Sequence, residues 1–587
     1  MEKENEINYM NMKRLLLALL LIAAVSCGPK DGEYTFRILT TNDVHGRYFD
    51  STYVSNRTRQ SLLSVSWYVD SLRNAAGREN VILVDAGDCL QGDNAAYYFN
   101  YVDTLSEHLY TRMVDYMGYD AVVVGNHDIE TGHPVYDRIV NQMSTPFLAA
   151  NALRTGSSEP YFREYVIVKR HGLKIAVLGF TNPNIRNWLS PKLWEGMEFR
   201  SLLPFVQETV DRVRTKERPD VVVVAVHAGT GAGDGKQYES QGLDLFNSLS
   251  GVDFVICSHD HRPVVHQNDS IALINSGSHC RNLGHGVITL KVEGGKVVSK
   301  ALSAGLIEID RKNTDEKMRT AFRQDYEAVK AFTLEEVGEL KADLRTRDSY
   351  RGMSDYMNLI HTLSLGCTPA QVSFAAPLTF NGFVKAGTLV YNDLFTIYPF
   401  ENQLFVVKMT GREIKDYLEY SYDSWINTYD KDSEHLLKIV NAPDPRTGQT
   451  RWSFVNRSYN FDSAGGLVYE VDVTRPAGER VDIKSMADGS PFVPEVEYNV
   501  AMTSYRASGG GGIMRHGAGI DTDRIEERTV AYYPEIRDLL YDYLKKTGSI
   551  DPDVIGDPSV IGGWNFVPSA KAQKALDKDM KLLFPRF

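Results

Sequence analysis

Five short stretches of this chain carry groups that bind metals and move protons. Asp43 and His45 stand in "TNDVHG", Asp85 and Asp88 in "VDAGDC", and Asn126, His127, Asp128 and Glu130 in "GNHDIE". His227 follows in "VVVVAVHAG", and His259 and His261 in "CSHDHRP". Imidazole nitrogen with carboxylate and amide oxygen, and no cysteine, suits Zn, Mn, Fe, Co or Ni rather than calcium or an iron–sulfur cluster. Asp43, His45, Asp88, Asn126, His227, His259 and His261 outnumber the ligands of one tetrahedral ion, so two divalent ions sharing a carboxylate is the economical count. Two ions about 3.5–4 Å apart can polarise a phosphoryl oxygen, activate water and stabilise a leaving oxygen. A single D-x-H or G-D is commonly just a turn or a cap; the weight lies in five stretches occurring together.

Each stretch closes an apolar run: "FRIL", "NVILV", "DAVVV", "DVVVVAV" and "DFVIC". With "LKIAVLGF" and "IALI", these read as strands buried on both faces of an α/β core running from Thr35 to about Ile309. In such sheets ligands gather beyond the carboxyl ends of the strands, which lets residues more than two hundred positions apart converge. Asp43 and His45 are two apart, as are His259 and His261, and in an extended segment each pair projects to one side. Eleven of the fourteen histidines lie between His45 and His285, which puts the chemistry in the first half. His133, His266 and His285 fit no ligand position and read as structural; His279, in "NSGSHC", lies near the site in chain order.

At 587 residues the chain is long enough for two large domains, and its net charge of −12 excludes a broad nucleic-acid-binding face or a stable nucleic-acid partner. A small anionic substrate remains compatible, because metal ions supply local positive charge. Met12, Lys13 and Arg14 precede eleven apolar residues, Leu15 to Val25. That run is shorter than the roughly 20 residues a spanning helix needs and fits a secretory signal. Ala24-Val25-Ser26-Cys27 resembles a bacterial lipobox, with Cys27 lipidated as the mature N-terminus and anchoring the protein to a membrane, in the periplasm or at the cell surface. Plain secretion is the alternative. The other four cysteines show no C-x-x-C spacing and read as buried thiols. The expected layout is a signal over 1–27, a catalytic α/β domain over 34–310, a linker helix over 311–337, a second α/β domain over 338–549 and a tail over 550–587. In the linker, Met318, Phe322, Tyr326 and Val329 recur at helical spacing behind Asn313 and Thr314.

The order D-x-H, G-D, G-N-H-[DE], H and H-x-H resembles the signature of calcineurin-like metallophosphoesterases, which implies a layered α/β/β/α sandwich. The resemblance implies that Asp43, His45, Asp88 and His261 hold one ion, and Asp88, Asn126, His227 and His259 the other, with Asp88 bridging. Asn126 would also reach the substrate. His127 would stabilise the transition state and protonate the departing oxygen. An acid orients this histidine in the 5′-nucleotidase branch; Glu130 stands where Asp is usual, and Asp128 could share the task. "GTLVYNDLFTIYPFENQLFVVKMTG", "YNFDSAGGLVYEVDV" and "YNVAMTSYRASGGGG" look like the 5′-nucleotidase C-terminal substrate-binding domain, nearest its 2′,3′-cyclic-nucleotide 2′-phosphodiesterase/3′-nucleotidase branch. That resemblance implies a base clamp at Tyr398 and Tyr505. Gly511 stands where 5′-nucleotidases carry an Asp for the ribose diol, and "AAPLTFNGF" lacks their "GG[IV]R" arginine. A 2′,3′-cyclic or 3′-phosphate has no free diol, so the expected function is two-metal hydrolysis of such nucleotides. A 5′-nucleotidase or nucleotide-sugar hydrolase is the alternative, and a non-catalytic binding lipoprotein the remote one.

Overall fold

The computed structural model describes residues 28–585 apart from 401, 431–432 and 444–448, so the signal and Cys27 lie outside the described residues. The chain divides into two compact units, residues 1–185 with 191–329, and residues 186–190 with 330–587.

The first unit is built on two six-stranded sheets. One contains β1 (Gly32–Thr41), β2 (Val81–Asp85), β3 (Ala121–Val123) and β4 (Phe147–Leu148), mutually parallel in that order. The other contains β5 (Tyr165–Arg170), β6 (Leu173–Phe180), β7 (Val221–Val226), β8 (Phe254–Ile256), β9 (Pro263–Gln267) and β10 (Ala272–Ser276). Here β6, β7, β8 and β10 run parallel, with β5 and β9 antiparallel at the edges. A long hairpin, β11 (Asn282–Glu293) and β12 (Lys296–Glu308), completes the first sheet beside β1.

The seven apolar runs of the sequence are all strands, and their alternate residues explain the layering. Phe36, Ile38, Ile82 and Val84 of one sheet pack against Ile175, Val177, Val221 and Val223 of the other. The opposite face of the second sheet, through Val222 and Val224, packs on Val206, Val210 and Val213 of helix α1 (Leu202–Glu217). Both faces of the parallel strands are therefore dry, which is why they read as unbroken Val/Ile runs.

The expected linker helix is two helices, Glu316–Ala321 and Arg323–Thr333, separated at Phe322, whose ψ of 18° breaks the turn. The cap is Asp315 rather than Asn313 or Thr314: its carboxylate accepts from Lys317 N and Met318 N. The first unit takes in this segment through Val329.

The second unit centres on a five-stranded sheet that includes Val372–Ala375, Gln403–Thr410 and Glu497–Thr503. Residues 550–587 are not a separate tail. Gly562–Val567 pairs in parallel with Leu467–Asp472, and Ala572, Leu576 and Met580 of the last helix enter the same core. Among the described residues no helix is long and apolar enough to cross a membrane.

His361, 1% exposed in the second unit, lies 2.8 Å from Ser373 Oγ and 3.3 Å from Ser463 Oγ. Burial pushes its pKa down to about 3. An unfolded histidine titrates near 6.5, so below that pH the unfolded chain gains a proton that the folded chain refuses. Stability is then lost as pH falls from about 6.5 towards 3, by about 1.4 kcal/mol per pH unit. His361→Gln keeps a polar partner for the serines without titrating. Chemical denaturation of the second unit at pH 7.5, 6 and 5 should give a shallower pH slope in the variant; equal slopes would refute the assignment.

Candidate active site

The candidate metal-binding residues arrive at one end of the first unit because every strand that delivers them runs parallel in its sheet. Asp43 and His45 follow β1, Asp88 follows β2, and Asn126 to Glu130 form one helical turn after β3. His227 follows β7, and His259 and His261 follow β8. Two clusters result. Asp43, His45 and His261 bring one ligand atom each within 4.8 Å of one another, and so do Asp88, His227 and His259. These triads coincide with the expected division between two ions.

The D-x-H and H-x-H pairs do not converge by the extended geometry the spacing predicts. Asp43, His45, Asp88, His259 and His261 all have positive φ, between 48° and 68°. The strand ends curl through left-handed turns pinned by main-chain bonds: Asp43 N to Gly87 O at 2.9 Å, and His45 N to Asp88 O at 3.0 Å. Non-glycine residues occupy this region at a cost, and they cluster where function over-determines the backbone.

Both clusters fit a cation. His227 Nδ1 lies 2.8 Å from Ala86 O, a carbonyl that can only accept, so Nδ1 carries the hydrogen. In the neutral ring Nε2 then turns a lone pair towards Asp88 Oδ2 at 3.0 Å and Asn126 Oδ1 at 3.1 Å. Asp88 Oδ2 is buried and, although His227 is close, accepts no hydrogen bond of good geometry. Such acceptors face one another stably only across a proton or a metal ion. Burial alone would lower the His227 pKa, but the Asp88 carboxylate lifts it to about 9. Burial raises Asp88, and the charges of His227 and His127 more than offset this, holding it well below the usual carboxylate range. In the other cluster, His45 Nδ1 lies 3.1 Å from Gln91 Oε1, and His45 Nε2 meets His261 Nε2 at 2.9 Å.

The three candidates for proton chemistry separate cleanly. His127 is partly exposed, and its Nδ1 lies 2.5 Å from Glu130 Oε2, one helical turn on. The longer Glu side chain therefore reaches the ring. Asp128 does not share this task. Its carboxylate accepts from four main-chain N–H groups, Gly125 and Asp88 on Oδ2, Cys89 and Leu90 on Oδ1. Asp85 also faces away from the ligands: it accepts from Thr41 Oγ1 at 2.6 Å and Gly87 N at 2.8 Å, and burial raises its pKa to about 7. His279 does join the site, its ring 5.3 Å from His45 and 5.8 Å from His261.

Two glycines permit the close packing. A Cβ on Gly125 would stand 2.1 Å from Asp88 Oδ1, and one on Gly87 2.8 Å from His227 Nδ1.

The second unit holds a pocket of about 240 Å³ lined by Phe374, Phe400, Asn402, Tyr459, Asp462 and Tyr505, among others. Tyr505 is on its wall and 41% exposed, as expected. Tyr398 is not: it is 1% exposed in the core, where a ring offers no free face for stacking. The second exposed ring is Phe400, two residues along and 44% exposed. Tyr459 stands edge-on to both, with ring centroids at 6.4 Å and 6.3 Å. Beneath them lies Arg506, which the sequence reading passed over. It is 3% exposed and pairs with Asp462 at 2.6 and 2.8 Å while donating to Tyr459 O at 3.0 Å and Gly510 O at 2.5 Å. Its position next to Tyr505 and four glycines was the available signal.

With this geometry in place, comparisons with known proteins agree. Residues 36–263 match the calcineurin-like phosphoesterase family model and residues 334–516 the 5′-nucleotidase C-terminal domain. The protein is a metal-dependent phosphoester hydrolase with a dinuclear divalent metal site. More particularly, it joins a calcineurin-like phosphoesterase domain to a 5′-nucleotidase C-terminal domain. It is 26% identical over 620 residues to the trifunctional nucleotide phosphoesterase protein YfkN of Bacillus subtilis, covering 92% of this chain and 40% of that protein. The 2′,3′-cyclic-nucleotide 2′-phosphodiesterase/3′-nucleotidase of Haemophilus influenzae is 24% identical over 612 residues, covering 93% of this chain and 89% of that one. A putative 5′-nucleotidase structure from Staphylococcus aureus shares the fold, with a TM-score of 0.71 at 20% identity over 91% of this chain and 99% of that one.

Asp128→Asn removes acceptor capacity from buried N–H groups, each worth about 1–3 kcal/mol when orphaned. It should lower the stability of the first unit and its metal affinity together. Glu130→Gln should leave both nearly unchanged. Thermal melts and metal titration of the two variants check this; equal metal loss in both would overturn the division of roles.

Proposed function

We propose that this protein hydrolyses nucleotide phosphoesters, foremost 2′,3′-cyclic nucleotides and 3′-nucleotides. In the first unit the phosphate reacts at the Asp43/His45/His261 and Asp88/His227/His259 clusters, with Asp88 shared and Asn126 touching both ion and substrate. In the second unit Phe400 and Tyr505 offer the exposed ring faces on which a base stacks. Two divalent cations, when bound, supply Lewis acidity towards the phosphoryl oxygens and activate water for attack. His127 gives its proton to the departing ribose oxygen. Glu130 holds Nδ1–H and so fixes the ring.

The observation that carries the substrate reading is the closed space at Gly511. Its φ is +71°, and a Cβ there would lie 2.5 Å from Asn460 Oδ1 and 2.6 Å from Arg506 Nη1. The turn leaves no room for the acid that the resembling 5′-nucleotidases carry for the ribose diol, which favours substrates whose 2′ or 3′ oxygen is esterified. The N-terminal pattern supports export and attachment to a membrane through lipidated Cys27.

Turnover of 2′,3′-cyclic AMP, 3′-AMP, 5′-AMP and a nucleotide sugar, side by side with added Mn or Co, tests the preference; faster turnover of 5′-AMP or the sugar would replace it. His127→Ala should lose about 10²–10⁴ in kcat on cyclic nucleotides and much less on bis-p-nitrophenyl phosphate, whose leaving group departs unprotonated.

Base stacking is worth about 1–3 kcal/mol, so Phe400→Ala or Tyr505→Ala should raise KM for nucleotides about 5- to 150-fold with little change in kcat. Steady-state kinetics on cyclic AMP and on bis-p-nitrophenyl phosphate separates the roles. Equal losses on both substrates would make the rings structural.

A further inference from the structure

β1 enters the first sheet at Gly32 and leaves it at Thr41, so its ends mark opposite poles of the first unit. A strand of that length spans roughly 30 Å at about 3.3 Å per residue. All the metal-binding residues follow carboxyl ends of parallel strands, at the exit pole.

The entry pole is where the chain is tethered. Pro29, Lys30 and Asp31 are held there by turns from both sheets. In the turn between β5 and β6, a Cβ on Gly172 would stand 2.9 Å from Pro29 N. Asp31 Oδ1 accepts from Gly295 N, in the β11–β12 turn, at 3.1 Å. Tyr34 OH donates to Lys30 O at 3.0 Å, and the Tyr34 ring packs 5.4 Å from His171. Only Gly28 separates Cys27 from this fixed backbone. One residue spans at most about 3.6 Å, too little for the unit to turn over on its anchor.

Lys30 before β1, Lys169 near the end of β5 and Lys296 at the start of β12 are all exposed beside these turns. Of the neighbouring acids, Glu293 is paired with Lys291 at 2.8 Å, while Asp31, which accepts from Gly295 N, and Glu33 remain charged and exposed. Exposed lysines beside an anchor are drawn to anionic headgroups within a Debye length.

We infer that this pole is a membrane-facing surface, lying on the anionic headgroups of the bilayer, with the metal-binding end held away from them. The inference rests on the anchoring through Cys27 proposed above. It follows that the site draws soluble nucleotides from the aqueous side and does not act on the headgroup phosphates of its own membrane.

The test uses full-length protein purified from membranes and placed in vesicles of phosphatidylethanolamine and phosphatidylglycerol containing headgroup-nitroxide lipid. Cys367, the exposed free thiol, is replaced by Ser; Cys89, Cys257 and Cys280 are buried. A fluorophore is attached through Lys296→Cys in one variant and through Lys236→Cys, in the exposed loop after β7, in another. Hydrolysis of bis-p-nitrophenyl phosphate confirms that both are folded, and mass spectrometry reads the lipid on Cys27. Several-fold deeper quenching at 296 than at 236 is expected. Equal or reversed quenching in lipidated protein overturns the orientation while leaving the anchor intact. Absence of lipid on Cys27 overturns the anchoring and the surface with it.

Discussion

The Asp128 carboxylate gathers four main-chain N–H groups from the loops that follow two neighbouring parallel strands, β2 and β3, beyond the last bonds of their ladder. Three belong to the loop after β2 and one to Gly125 after β3. This knot sets where Asp88 points, and Asp88 Oδ1 in turn accepts from His127 N at 2.8 Å. The Asp88 carboxylate, the loop that carries it and the turn that carries His127 are thus tied into one element. Because the carboxylate is fully enclosed, no water can replace it as acceptor.

Around that knot the backbone is held in a costly shape. Asp43, His45, Asp88, His259, His261 and His279 all sit in the left-handed region, at roughly 1–2 kcal/mol each for an ordinary side chain. The two packed sheets offset this: Phe36, Ile82, Val177 and Val223 are fully buried between them. Asp88 and His227 are compatible there only with a proton or a cation between them, so a bound cation must displace that proton. The site is therefore the least self-sufficient part of the most stable layer, and ion binding and folding support each other there.

Much of this was legible in the sequence. Unbroken Val/Ile runs identified the strands because both their faces are dry, and polar groups just beyond them identified the ligands. The turn geometry was not legible, since spacing gives the same D-x-H whether the chain is extended or left-handed. The role of Asp128 was hidden because its partners are main-chain groups, which no side-chain pattern records. Tyr398 and Phe400 flank Pro399 in one aromatic stretch, and only the fold decides which ring is turned inward. Residues 550–587 read as a tail because their strand pairs with Leu467–Asp472, too far along the chain for local periodicity to register.

The left-handed ligands also narrow the evolutionary routes open to this centre. At an ordinary position a histidine can drift to cysteine or a β-branched residue and so recruit a different metal. At φ near +50° to +70° glycine, asparagine, aspartate and histidine are favoured, and other side chains stand there at a cost, as Cys280 does at 56°. The least costly replacements at Asp43, His45, Asp88, His259 and His261 are therefore again oxygen or nitrogen donors, or no donor at all. At those five positions thiolate coordination is disfavoured by the backbone before any question of metal affinity arises, which biases a lineage built on this turn geometry towards hard and borderline metals.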